Sequence, residues 1–142
     1  VRHLLRAASI LTLVGAMAVP SAALAWRAFN NLRVNPETQD TFEVIQSGGV
    51  SAGDVWCAAG DFALSRLSVP SNQRIYLIEG KHIARTEERR RFGYSFSLTP
   101  PPEAQNFARS PLLLSLRNVG DSLSAIAAKQ YCYDRLERRR WP

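Results

Sequence analysis

The chain has 142 residues, 18 Lys and Arg against 12 Asp and Glu, a formal net charge of +6, and two cysteines. This length suits one domain with one modest core and leaves no room for a second independent unit of ordinary size. The basic excess is concentrated in Arg89-Arg90-Arg91 and Arg138-Arg139-Arg140 rather than spread over a face with interleaved aromatics, so no nucleic-acid groove is expected.

Arg2, His3 and Arg6 precede an apolar run from Ala7 to Val19, Pro20 breaks it, and Ala23-Leu24-Ala25 offers small residues at a cleavage position. A run of about 13 residues falls short of the roughly 20 that span a bilayer, so residues 1–25 read as a secretory signal peptide whose removal leaves Trp26 first. Arg2 and Arg6 are not adjacent, so there is no twin-arginine pattern, and Trp26 offers no thiol for a lipid. The expected product is periplasmic or secreted, without a stable membrane anchor. Its organisation is a single domain over residues 26–137 and a basic tail over 138–142.

Outside the cytoplasm, a Cys57–Cys132 disulfide is the default. With 74 residues between them, closing the loop removes about 4.5 kcal/mol of denatured-state freedom in the chain-entropy model. The bond leaves no thiol for reactivity. His82 is the only histidine after cleavage, so neither a metal site nor a cofactor is expected.

In chain order, Trp26 to Gln39 reads as an irregular surface segment with turns at Asn30-Asn31 and Asn35-Pro36. Thr41 to Gln46 has the β-branched and aromatic content of a strand. Ser51, three residues before Asp54, marks a helix start, and Val55, Ala59, Phe62, Ala63 and Arg66 trace one face of a helix to about Leu67. Ala58, Ala59, Gly60 and Ala63 would let that helix lie close to a neighbour. Gln73 to Glu79 carries the unbroken apolar run Ile75-Tyr76-Leu77-Ile78, expected as a central strand covered on both faces. A charged loop from Glu79 to Arg91 separates it from an alternating strand, Phe92, Tyr94, Phe96 and Leu98, its expected antiparallel partner. Pro100-Pro101-Pro102 ends the ladder. Leu112 to Leu116 reads as a further strand, and Gly120-Asp121-Ser122 as the opening of a second helix closed by Cys132. The expected fold is α+β, with three or four mostly antiparallel strands, two helices on one face and one disulfide.

Val119 to Lys129 resembles the opening of a LysM module, a family that binds N-acetylglucosamine polymers of bacterial walls. The resemblance spans about 11 residues. That family's second helix and closing strand have no counterpart after Tyr131-Cys132-Tyr133, so no glycan-contacting residue is carried over. Taken whole, the chain looks like small exported proteins of uncharacterised function from high-GC proteobacteria. That likeness rests on Trp26 after the signal, the block from Asp54 to Asp61, Arg74-Ile75-Tyr76, and the Gly-Asp-Ser-Leu-Ser segment before Tyr131-Cys132. It implies an exported single domain with two spaced cysteines and supplies no activity.

Asp54 and Asp61 are seven residues apart, about 10.5 Å along one helix, and in principle offer acid and base for glycoside hydrolysis. A cap and a solvated side chain explain them more simply. His82 stands alone in a charged stretch, and there is no Gly-x-Ser-x-Gly, phosphate loop or dinucleotide fingerprint. No catalytic residue is assigned. Trp56, Tyr94, Asp61 and His82 mark a candidate binding surface between the first helix and the Tyr94 strand. The expected role is non-enzymatic binding of an envelope component or a protein partner by an exported accessory protein. A weak electrostatic contact of the arginine triplets with an anionic lipid or wall polymer belongs to the same reading. The rival is a small hydrolase of wall or glycan material, which requires a cleft uniting Asp54, Asp61 or His82 with aromatics.

Overall fold

The computed structural model describes residues 25–106 and 115–140. In chain order these are β1 (Trp26–Arg27), β2 (Arg33–Pro36), β3 (Thr41–Ile45), α1 (Ala52–Ser65), β4 (Arg74–Ile83), β5 (Phe92–Ser97), a 3-10 turn (Pro102–Asn106), β6 (Ser122–Ser124) and α2 (Ala125–Arg140). The strands form one sheet, ordered β1-β2-β3-β5-β4-β6, with every neighbouring pair antiparallel. The fold is α+β as expected, but among the described residues the sheet has six strands rather than three or four.

The additional strands come from short segments that read as loops. Asn30-Asn31 is a turn, but a hairpin turn: Ala28 donates to the Leu32 carbonyl, Asn31 adopts φ 67°, and Trp26 pairs with Val34. Ser122–Ser124 pairs with β4 instead of starting a helix, and the Arg74 guanidinium clamps the Ser122 hydroxyl and carbonyl. The helix begins one step later, with Ser124 Oγ accepting from the Ala127 N–H. It runs through Cys132 to Arg140, so the second arginine triplet is helical. Residues 112–114 of the expected leucine strand, residues 1–24 of the expected leader and residues 141–142 lie outside the described residues; Ser115 and Leu116 are in no strand.

β4 also departs from expectation. Glu79-Gly80-Lys81 is strand, not loop, with register shifts between Leu77 and Glu79 and between Glu79 and His82. Only Ile75 and Leu77 enter the core, while Tyr76 and Ile78 are half-buried, because helices cover only one face. The middle of the sheet is β3 paired with β5.

Val34, Phe42, Val44, Phe96, Ile75 and Leu77 supply the buried apolar face. Trp56 and Phe62 of α1 complete it, with ring centroids 4.9 Å from Phe96 and 4.8 Å from Phe42. A capping box fixes the start of α1: Ser51 Oγ accepts from the Asp54 N–H, and the Asp54 carboxylate accepts from the Ser51 N–H.

α2 packs on α1 across Gly60, where a Cβ atom would fall 2.5 Å from Lys129 N and 2.8 Å from the Ala125 carbonyl oxygen. The Cys57–Cys132 disulfide fastens the same contact, with Cα atoms 4.9 Å apart. Helix propensity alone favours Gly60→Ala by about 1 kcal/mol. The backbone it would strike cannot withdraw as a flexible side chain does, so the expected result is a net loss of about 1–3 kcal/mol in urea unfolding. An alanine variant as stable as the parent would contradict the close approach.

Candidate functional site

Phe42 and Val44 face the helices, so strand alternation turns Glu43 to the opposite face. Glu43 is nevertheless fully buried, because the connection from β4 to β5 folds back across that face and closes through the Ala84 N–H to Arg91 carbonyl bond. Gly93 makes the room: a Cβ there would lie 3.0 Å from Glu43 Cγ. Four donors converge on the carboxylate. Oε1 accepts from Thr86 Oγ1 at 2.6 Å and the Thr86 N–H at 3.1 Å, and Oε2 meets His82 Nε2 at 2.6 Å and the Arg85 N–H at 3.2 Å. Burial pushes the carboxyl group up. The bonds from Thr86, His82 and Arg85 overcome this and hold it below its ordinary value.

His82 also places Nδ1 2.7 Å from the Gly80 carbonyl oxygen. A carbonyl and an ionised carboxylate both only accept, so each ring nitrogen of His82 faces an acceptor. Ser95 Oγ lies 3.5 Å from the same Nε2 that meets Glu43, and itself accepts from the Arg85 guanidinium at 3.2 Å. A nucleophilic triad needs hydroxyl and carboxylate on opposite ring nitrogens. Here both crowd one nitrogen, and Ser95 is fully buried. The cluster extends outward through Asn35, which donates to Thr86 Oγ1 and Glu87, and Arg33, which pairs with Glu87 at 2.8 Å. Its geometry ties the loop to the sheet.

The residues marked in the sequence occupy separate places. Trp56 is in the core and donates from Nε1 to the Ser115 carbonyl at 3.3 Å. Asp61 is buried, accepts from the Phe29 N–H at 2.7 Å and Ser65 Oγ at 3.0 Å, and pairs with Lys129 at 3.1 Å. Asp54 serves the α1 cap. His82 lies on the sheet face away from the helices, whereas Tyr94 lies on the helix face, paired with Val44. Trp56, Tyr94, Asp61 and His82 therefore share no surface, and Asp54, Asp61 and His82 share no cleft. Among the described residues, no group of three or more His, Cys, Asp or Glu side chains is placed to hold a metal ion.

An open groove of about 570 Å³ lies between the first residue of α1 and Tyr94, with Lys81, Glu79, Leu116 and Arg117 on its walls. Burial pushes the Tyr94 hydroxyl up, so it stays protonated and donates to Gln46 Oε1 at 3.4 Å. Lys81 Nζ sits 4.5 Å above the Phe92 ring, which orients its charge at the rim. Of the groove's lining residues the sequence marks only Tyr94, and neither Lys81, Arg117 nor the buried Glu43 is singled out there. Glu43 did carry a signal: an acid in the middle of Thr41-Phe42-Glu43-Val44-Ile45, with Gly93 and Ser95 on the partner strand making space for it. Comparisons with protein-family models, curated proteins and solved structures yield no match for this chain.

Proposed function

We propose that this is an exported accessory protein, periplasmic or secreted, that binds an envelope component or a protein partner and performs no covalent chemistry. One observation carries the reading. Glu43, His82, Ser95, Asp54 and Asp61 are each engaged in holding the fold, while the open groove is lined by Lys81, Arg117, Glu79, Leu116 and the largely buried Tyr94. A lining that mixes aromatic, aliphatic, cationic and acidic side chains suits recognition of a polar surface. The disulfide supports an oxidising location. Among the described residues, no helix is long and apolar enough to cross a membrane.

The test is a photo-crosslinking amino acid at Leu116 in cells of the native host, compared with one at exposed Asp40 outside the groove. A discrete adduct from position 116 alone is expected. Combining Lys81→Glu with Arg117→Glu is expected to abolish it while changing stability by no more than about 1 kcal/mol, since both side chains are exposed. Equal labelling from both positions, or an adduct indifferent to the charge reversal, would refute the groove as the binding surface.

A further inference from the structure

On the sheet face away from the helices, a pocket of about 140 Å³ is lined by Arg27, Asn31, Arg33, Ile45, Ser47 and Arg91. Three guanidinium groups meet there, and the lining contains no carboxylate. β1 and β2 set two of them side by side, since Arg27 and Arg33 are register partners. Each is held through one nitrogen: Arg27 Nη1 donates to the Asn31 carbonyl at 3.1 Å, and Arg33 Nη1 to Glu87 at 2.8 Å. A guanidinium has five N–H donors, so both are oriented with donors to spare. The Arg91 guanidinium has no hydrogen bond or ion pair among the described residues; its electrostatic neighbour is Glu87. Glu87 offsets one of the three positive charges, and the remainder matches a doubly charged oxyanion. Ser47 adds a hydroxyl at the mouth.

A second compartment of about 370 Å³ adjoins the first, shares Arg33 and Arg91, and adds Arg89, Glu87 and Glu88. Its carboxylates would repel a second anion but accept hydrogen bonds from hydroxyl groups. We propose that the Arg27, Arg33 and Arg91 pocket binds the phosphate monoester of a phosphorylated carbohydrate, with the hydroxyl-bearing part in the adjoining compartment. Forked guanidinium donors suit phosphate oxygens. The proposal deepens the reading of the protein as an envelope-binding module by naming the ligand chemistry. It does not depend on the groove at Tyr94, which lies on the other face.

Calorimetric titration of the purified, disulfide-bonded protein at low ionic strength with inorganic phosphate and with glucose 6-phosphate tests it. Saturable binding of both is expected, with glucose 6-phosphate the tighter, and added salt should weaken both. Arg91→Gln should weaken both about tenfold, the equivalent of one charge-assisted hydrogen bond. Arg66→Gln, which removes the same charge beyond the pocket at the end of α1, should leave affinity unchanged. Arg91 is exposed and its guanidinium makes no hydrogen bond or ion pair among the described residues, only a longer-range attraction to Glu87, so its replacement leaves the fold intact. Vesicles containing phosphatidic acid, against phosphatidylcholine alone, identify the source. Capture that depends on Arg91 would overturn the carbohydrate assignment in favour of a lipid headgroup, and glucose 6-phosphate binding without capture supports a soluble or polymeric phosphosugar. No saturation by about 10 mM of either phosphate probe, or equal affinity in Arg91→Gln and the parent, would overturn the assignment. A failed crosslink at Leu116 would leave it standing.

Discussion

Replacing Glu43 with glutamine is expected to remove about 3–5 kcal/mol of unfolding free energy, a large share of the roughly 5–15 kcal/mol that a domain of this kind has. The carboxylate accepts from four donors, all within 3.2 Å, in a site with no access to water. Glutamine keeps the shape but turns an amide N–H₂ toward donors that cannot withdraw, leaving them unsatisfied. Equilibrium urea unfolding measures the loss, and a change below about 1 kcal/mol would mean that solvent reaches the cluster. The loss should also depend on pH. Glu43 has a folded value below the ordinary 4.5, as does Glu87, where burial acts upward and is overcome by bonds from Arg33 and Asn35. A carboxyl with a lowered folded value binds fewer protons folded than unfolded. Its stabilisation is therefore fully present above about pH 4.5 and is lost as pH falls through the folded value. The parent's advantage over Glu43→Gln should shrink in that acid range, and a gap that stayed constant or widened would contradict the ionised, bonded Glu43.

Removing the disulfide with paired Cys57→Ser and Cys132→Ser is expected to cost about 4.5 kcal/mol and to lower Tm by about 15–25 °C. The two sulfurs close a loop of sequence separation 75, so most of the effect arises in the unfolded chain, which gains the freedom that the bond had denied it. The folded contact has its own geometry in the close approach at Gly60, with Ala125 and Ala128 buried beside it. The serine variant should therefore retain the parent's near-ultraviolet circular dichroism at low temperature. Loss of that signal before any thermal transition would show that the bond, rather than packing, positions α2.

The elements with strong periodicity or a clear cap were legible in the sequence: β3, α1 with its Ser51 and Asp54 box, β5, and the antiparallel pairing of β4 with β5. β1, β2 and β6 were not, since strands of two to four residues carry no period of their own and exist because a neighbour's edge accepts their backbone bonds. Gly120-Asp121-Ser122 has the chemistry of a helix start, yet Leu77 exchanges bonds with Gly120 and Asp121, and this draws the next residues into the sheet. The polar cluster was illegible for a related reason. Glu43 lies 39 residues from His82 and 43 from Thr86 in the chain, and only the back-folded β4–β5 connection brings them within bonding distance. Likewise, Arg27, Arg33 and Arg91 look like scattered charges until the strand register aligns the first two and the connection returns the third.

An exported domain that binds and does no chemistry requires a trimmed chain with no reactive sulfur. Intact mass spectrometry of the protein recovered from its native host, denatured without reductant and treated with a thiol alkylator, examines both features at once. The expected species begins at Trp26, has Cys57 joined to Cys132 and carries no label. A species that retained residues 1–25, or carried two labels, would contradict the export and closure on which the functional reading stands.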